Sequence, residues 1–277
     1  VVERMLARGR ERYLADVESC RASLRAGESY ELCLTDSVEF EAAESGLEFY
    51  RALRRTNPAP HAAFLRFGDV EIACSSPERF LKVGRDGVVD SKPIKGTVRR
   101  GDSADDDARL SSELAASAKT RAENLIIVDL IRNDLGRVCQ VGSVHVPTLM
   151  AVESYRTVHQ LVSTVRGTLR PDADVIDCVR ACFPGGSMTG APKLRTLDIL
   201  DDLEGRARGI YSGAIGFLGP DRTADLNIVI RTAVRAEGRW HVGAGGAVVL
   251  DSDPVDEYDE MVLKLLATLR ARSGPVA

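Results

Sequence analysis

Between residues 61 and 91 the chain is cut into four short segments, 61–67, 70–75, 79–83 and 88–91. They are separated by Phe67-Gly68-Asp69, by Ser76-Pro77-Glu78 and by Gly84-Arg85-Asp86-Gly87. Gaps this short leave no room for the crossover that parallel neighbours need, so the run reads as an antiparallel meander. The last third repeats the pattern, with strands expected over 210–218, 225–235 and 240–250 and turns at Gly219-Pro220-Asp221 and Ala236-Glu237-Gly238. Further strands are predicted over 29–39, where Tyr30, Leu32 and Leu34 alternate with Glu31, Cys33 and Thr35, and over 141–152 and 155–169. Helical periodicity marks 2–26, 44–54, 104–115, 118–133, 174–183 and 193–203, and a last helix capped by Asp253 with Pro254 in its first turn. Antiparallel meanders with separate helices define an α+β chain. Its 277 residues, 44% of them hydrophobic, suffice for a large core in one big domain or two subdomains.

A formal net charge of -4 argues against nucleic acid or an anionic membrane surface as partner. No apolar run is long enough to span a bilayer, and no signal peptide opens the sequence. The first residue is Val1, so the chain is expected to be a fragment of a longer protein. Six cysteines (Cys20, Cys33, Cys74, Cys139, Cys178, Cys182) show neither C-x-x-C nor zinc spacing, and are expected to be buried thiols in a reducing, cytoplasmic setting.

The chemistry-bearing residues fall in separate blocks. Lys95 stands between Pro93-Ile94 and Gly96-Thr97, where proline fixes one flank and glycine lets backbone come close to a ligand. A desolvated lysine there has the lowered basicity a nucleophile needs, whereas a solvated hairpin lysine does not. Glu78 follows a proline at a strand entrance. Taken alone it reads as a surface partner of Arg79; one hairpin from Lys95, it could share that end of the sheet. Asp102–Asp107 is an acidic run suited to a helix N-terminus, with no chemistry assigned. On helix 118–133, Glu123 shares a face with Ile126, Ile127 and Leu130, so its carboxylate needs a cation or a donor. The loop Phe183-Pro184-Gly185-Gly186 through Gly190-Ala191-Pro192-Lys193 enters the next helix. Thr189 or Gly190 can cap that helix, and its N–H groups could hold a carboxylate. Gly243-Ala244-Gly245-Gly246 places glycines inside a strand, a sign of close approach by a ligand or another backbone. Glu257, Glu260, Met261 and Lys264 share one face of the last helix, either as a salt-bridge ladder or as carboxylates for a hard cation.

Together these blocks resemble the chorismate-utilising enzymes, a family that includes anthranilate, aminodeoxychorismate, isochorismate and salicylate synthases. The resemblance rests on Ser76-Pro77-Glu78, Pro93-Ile94-Lys95-Gly96-Thr97, Ala122-Glu123-Asn124 through Asp134, Phe183-Pro184-Gly185-Gly186, Gly190-Ala191-Pro192-Lys193, Ile230-Arg231-Thr232, Gly243-Ala244-Gly245-Gly246 and Glu257-x-x-Glu260, in order over nearly the whole chain. It implies one chorismate-binding domain over 1–277, part of a four-layer αββα sandwich of two large antiparallel sheets, without the family's N-terminal part. Lys95 and Asn124 look like the aminodeoxychorismate group, since anthranilate synthases carry alanine and histidine there. Glu31 stands where members that use water carry lysine, which disfavours isochorismate formation.

The roles that follow are those the resemblance implies. Lys95 is the nucleophile and Glu78 the general acid. Mg²⁺ lies on Glu123, Glu257 and Glu260. Arg231, Tyr211 and the backbone at Gly245 hold the enolpyruvyl carboxylate, Lys264 supports the site, and Gly96, Thr97 and Thr189 complete the substrate contacts. The substrates would be chorismate and ammonia, the latter from a glutamine amidotransferase subunit or fused domain. The product would lead towards p-aminobenzoate, for folate or an antibiotic. The alternatives are anthranilate or 2-amino-2-deoxyisochorismate synthesis, and a non-catalytic chorismate-binding subunit. Two departures stand out: Gln160 replaces a histidine, with His159 on the opposite strand face, and Thr120 replaces the first glutamate of a Glu-x-x-Glu.

Overall fold

A computed structural model describes residues 2–156 and 158–272. In chain order the elements are α1 (Val2–Met5), α2 (Arg10–Arg25), β1 (Glu31–Glu41), α3 (Gly46–Thr56), β2 (His61–Phe67), β3 (Val70–Ser76), β4 (Arg79–Val83), β5 (Val88–Lys92) and β6 (Ile94–Arg99). There follow α4 (Ala104–Ala116), α5 (Ala118–Gly136), β7 (His145–Ser154), β8 (Val158–Thr168), α6 (Val175–Cys182), β9 (Gly190–Ala191) and α7 (Lys193–Glu204). The chain ends with β10 (Ala214–Leu218), β11 (Ala224–Ile228), β12 (Thr232–Ala236), β13 (Arg239–Val248) and α8 (Pro254–Leu269). The expected α+β class with two large antiparallel sheets is what the chain forms.

Contacts divide the chain into two compact units. The first holds the residues up to Glu78, Met188–Ile215 and those from Asn227 onward. Its six-stranded sheet runs β2-β3-β12-β13-β1-β9. β1 and β13 pair over ten residues, from Leu32 opposite Val248 to Glu41 opposite Arg239. Alternate residues of β13 (Trp240, Val242, Ala244 and Val248) are buried in a core shared with Phe49 of α3 and Met261 and Leu265 of α8. The Trp240 ring lies 4.5 Å from that of Phe49. Ser45 and Glu48 form a reciprocal capping box that starts α3, and Asp253 caps α8 through the N–H groups of Val255 and Asp256.

The second unit holds Arg79–Ser187 and Gly216–Leu226. Its sheet runs β10-β11-β4-β5-β8-β6, with β7 on β8. β5 and β6 lie end to end along one edge of β8: Ser91 pairs Val165 and Ile94 pairs Val162, with Pro93 at the junction. The acidic run begins α4 as expected, with Ser103 as cap and Asp105, Asp106 and Asp107 in the first turn.

Three expectations are corrected. The single helix over 2–26 is two: Leu6 bridges to Val38, Gly9 takes a φ of 76°, and Arg8 turns inward to Asp16. Tyr30 lies before β1 and is exposed, while β1 is buried on both faces from Glu31 to Asp36. The strand over 225–235 breaks at Arg231, whose φ is 52°, so that β11 belongs to one sheet and β12 to the other. Local alternation does not register a single residue leaving the extended region.

Candidate active site

In the first unit, most of the expected binding residues gather around the part of β13 that its neighbour leaves. β12 accompanies β13 only from Ala236 to Ala233, opposite Arg239 to Val242, whereas β1 stays alongside through Gly243–Val248. Over this stretch the glycines make room for side chains from elsewhere. A Cβ on Gly243 would come within 2.5 Å of the Tyr211 ring, so only glycine lets that ring lie on the strand. On the opposite face a Cβ on Gly246 would lie 3.0 Å from Oε2 of Glu257. Lys264 Nζ donates to the Gly245 carbonyl at 2.8 Å and pairs with Glu260 at 2.6 Å. Gly245, Gly246, Glu257, Glu260 and Lys264 are thus held together by the packing of α8 on β13, as the one-face spacing implies.

Arg231 sits where the chain turns from β11 to β12. Burial works against its charge and lowers its pKa, while Tyr211 and Glu260 favour the charged form. Among the described residues its guanidinium has no side-chain hydrogen bond or ion pair. Burial likewise drives the Tyr211 phenol well above its ordinary range. A partly desolvated guanidinium beside a neutral phenol suits a planar carboxylate, which a guanidinium can bind through two parallel hydrogen bonds.

Glu78 is buried, its N–H on Ser76 Oγ at 3.2 Å and its carbonyl accepting from Ile228 N–H at 3.0 Å. Thr189 is buried too, but its role differs from the expected cap. Its carbonyl accepts from Cys33 N–H, and Gly190–Ala191 pair with Glu31–Leu32 as a strand. The cap position of α7 falls to Pro192, which has no side-chain hydrogen bond to give. Strand pairing with β1 thus holds Gly190 and Ala191, ahead of the first turn of α7.

In the second unit Lys95 is only 8% exposed. It pairs Leu161, and the register then slips so that Thr97 pairs Gln160. Gly96 occupies the bulge with a φ of 78°, and a Cβ there would lie 2.5 Å from Cγ2 of Thr120. The threonine that replaces the first glutamate is therefore packed against the bulge that carries Lys95. Gln160 Nε2 donates to Thr97 Oγ1 at 3.3 Å. Glu123 is half-buried on α5, and its neighbour Asn124 is fully buried, accepting from Ser163 Oγ at 2.5 Å. His159, excluded from acid–base work by alternation, is buried between Ser154 Oγ (2.7 Å) and Asp107 Oδ1 (3.0 Å).

Sequence reasoning missed two clusters. Asp107 joins Arg100, the Gly101 N–H and His159, and these hydrogen bonds hold its carboxyl well below the usual carboxylate range. Buried Glu204 and half-buried Arg208 form a pair at 2.7 Å beside the Tyr211 loop. The Glu-x-x-x-Arg spacing at a helix end was the available signal.

Regarding a metal, no three His, Cys, Asp or Glu side chains form a metal-holding group among the described residues. α8 does supply two carboxylates: Glu257, buried and accepting from Ser252 Oγ at 2.6 Å, and Glu260. Mg²⁺ commonly takes one or two carboxylates and completes its shell with water and substrate oxygen, so this donor set fits an open site of that kind.

Two antiparallel sheets with a glycine-rich strand in one of them are the setting of the class: the chain matches the chorismate binding enzyme family over residues 2–270 and belongs to it. Among curated relatives, it is 54% identical over 267 residues to the chloroplastic aminodeoxychorismate synthase of Arabidopsis thaliana, covering 95% of this chain and 29% of the relative. It is 55% identical over 260 residues to the aminodeoxychorismate synthase of Streptomyces pristinaespiralis, covering 94% and 36%. The crystal structure of anthranilate synthase component I from Streptococcus pneumoniae TIGR4 superposes with a TM-score of 0.87 at 35% identity, over 96% of this chain and 59% of that one. The chain thus spans about a third of the length of the curated relatives it matches.

Proposed function

We propose that the protein of which this chain is part converts chorismate and ammonia to 4-amino-4-deoxychorismate, towards p-aminobenzoate. The observation that carries the reading is Lys95, a lysine almost wholly removed from water on a glycine bulge. The neutral amine is the form of a lysine that attacks carbon. The higher identity to aminodeoxychorismate synthases than to the anthranilate synthase structure supports this branch.

Lys95 Nζ bonds to C2 of the ring, both conjugated double bonds move one position round the ring, and the C4–O bond breaks so that the hydroxyl leaves as water with a proton given by Glu78. Ammonia then bonds to C4, both double bonds shift back, and the C2–Nζ bond breaks, returning the amine to Lys95. Glu78 takes the surplus proton from the incoming nitrogen. Two displacements give net retention and are the reason for a covalent lysine. Arg231, Tyr211 and the Gly245 backbone would hold the enolpyruvyl carboxylate, with Gly96, Thr97 and Thr189 as further contacts. Lys264 fixes Gly245 and Glu260. Glu123, Glu257 and Glu260 would hold Mg²⁺, whose charge would neutralise the ring carboxylate. Ammonia would come from a glutamine amidotransferase subunit or domain. Six buried cysteines outside any disulfide suit a reducing compartment such as the cytoplasm or a plastid, and no described helix is long and apolar enough to cross a membrane.

The test is the full-length protein with chorismate, Mg²⁺ and excess ammonium, its products resolved by mass spectrometry and NMR. The 4-amino product, lost in Lys95→Ala, is expected. A 2-amino product would move the protein to the anthranilate branch, and chorismate binding without turnover would make it a non-catalytic subunit.

A further inference from the structure

Within the first unit a single guanidinium ties together the segments that carry Thr189 and Tyr211. Arg208 donates from Nε and one terminal nitrogen to both carboxylate oxygens of Glu204, at 2.8 and 2.7 Å. Its remaining hydrogens go to the Met188 carbonyl at 2.5 Å, the Cys33 carbonyl at 2.9 Å and Ser212 Oγ at 3.3 Å. Glu204 in turn accepts from both the N–H and the hydroxyl of Thr35, each at 2.9 Å. Met188 precedes Thr189 and Ser212 follows Tyr211. Ser212, at a φ of 69°, donates its N–H to the Val229 carbonyl at 3.0 Å, and Val229 N–H returns to Gly213 at 2.9 Å. The Tyr211 loop is thereby stitched to the segment that ends in Arg231. Neither Glu204 nor Arg208 is among the residues that would touch chorismate.

We infer that Arg208, locked by Glu204, is a positioning residue that sets Thr189, Tyr211 and Arg231 for carboxylate recognition. The inference rests on the chorismate reading above. Five donors in one rigid fork fix five acceptors at once, which lysine cannot do. The pair is also largely withdrawn from water, Glu204 at 5% and Arg208 at 17% side-chain exposure, which strengthens its hydrogen bonds relative to those of an exposed pair. Burial opposes the Arg208 charge, yet the hydrogen bonds and charge of Glu204 outweigh it and keep the group protonated.

The experiment measures steady-state kinetics of the full-length protein for chorismate and for ammonium separately. Arg208→Lys keeps the charge and loses the fork. Removing one partner of a buried pair can unfold a protein, so the paired change Glu204→Gln with Arg208→Gln serves as the second variant, leaving no unpaired charge. A rise in the chorismate KM of about tenfold or more is expected, matching the loss of a charge-assisted contact, with kcat at saturation and the ammonium KM within about threefold of wild type. A merely structural role would lower kcat through loss of active protein and leave the chorismate KM where it was. Wild-type turnover with an unchanged chorismate KM in whichever variant folds overturns the clamp alone. Absence of any chorismate binding by wild type overturns the functional reading, and the clamp with it.

Discussion

Placing a single methyl group on β13 tests whether the Tyr211 ring depends on a bare strand. In Gly243→Ala the new Cβ would stand 2.5, 2.6 and 2.9 Å from three ring carbons of Tyr211. Carbon atoms rest about 3.5–4.0 Å apart, so the ring must retreat by roughly 1 Å. The backbone under it is held by Ser212 on Val229 and cannot follow freely. Overpacking of this kind costs about 1–3 kcal/mol. At about 2–4 °C per kcal/mol for a domain of this size, the melting temperature should fall by several degrees. The phenol would leave its place beside Arg231. Losing one hydrogen bond to a charged carboxylate is worth about 1.5–3 kcal/mol, which raises the chorismate KM by about tenfold to a hundredfold. The assay is a double-mutant cycle with Tyr211→Ala, reading melting temperature and KM together. With the ring gone, the methyl group should cost under about 0.5 kcal/mol by either readout. A Gly243→Ala enzyme indistinguishable from wild type, or one whose defect persists undiminished beside Tyr211→Ala, would refute the reasoning.

Gly96→Ala should cost more than a surface glycine change, because a φ of 78° strains any L side chain and the methyl group meets Thr120. A loss of about 1–3 kcal/mol is expected in denaturant titration, partly recovered by Thr120→Ser. Asp107→Asn probes the acid limb of stability. The wild-type carboxyl is held below the usual range, first by Arg100 and then by the Gly101 N–H and His159, so its contribution is complete above the unfolded pKa of about 4. It is lost as the pH falls through the lower folded value. The gap in melting temperature between wild type and Asp107→Asn should therefore be constant near neutrality and close below about pH 4; a gap that widens in acid would contradict it.

What the sequence displayed and what it hid divide along one physical line. Strand and helix content was legible because period and capping residues are local: Ser45 with Glu48, Asp253 with Pro254, and the glycine turns of the meander all act within a few residues. The one-face grouping of Glu257, Glu260 and Lys264 was legible for the same reason. Single residues at positive φ were not. Arg231 looks like strand on both sides, yet its turn sends the chain from one sheet to the other. The local partners of Asp107 and Arg208, at Arg100 and Glu204, were within reach of a spacing argument, but their distant ones lie 52 and 175 residues away, at His159 and Cys33, and no local pattern carries such distances. Thr189 misled because a glycine-rich entry to a helix looks the same whether its backbone waits for an anion or pairs with β1.

The residues that escaped prediction are also those where the fold accepts a local penalty. A left-handed arginine and a left-handed serine, Arg231 and Ser212, each cost about 1–3 kcal/mol unless their surroundings hold them there. Both are held: Ser212 by Val229 and Arg208, and Arg231 by its carbonyl, which accepts from Ser75 N–H at 3.1 Å. The turn at Arg231 does two things at once. It ends β12 beside β13, so that Gly243 and its successors lose one neighbour, and it sets the guanidinium close to the Tyr211 phenol and the Glu260 carboxylate. A glycine at 231 would relax the backbone, so arginine stands there at a local conformational cost. Lys95 likewise stands on an irregular stretch of strand, 8% exposed beside a glycine at positive φ. Each of these two cations thus stands on a break in regular strand geometry, Lys95 at a bulge and Arg231 at a turn of positive φ.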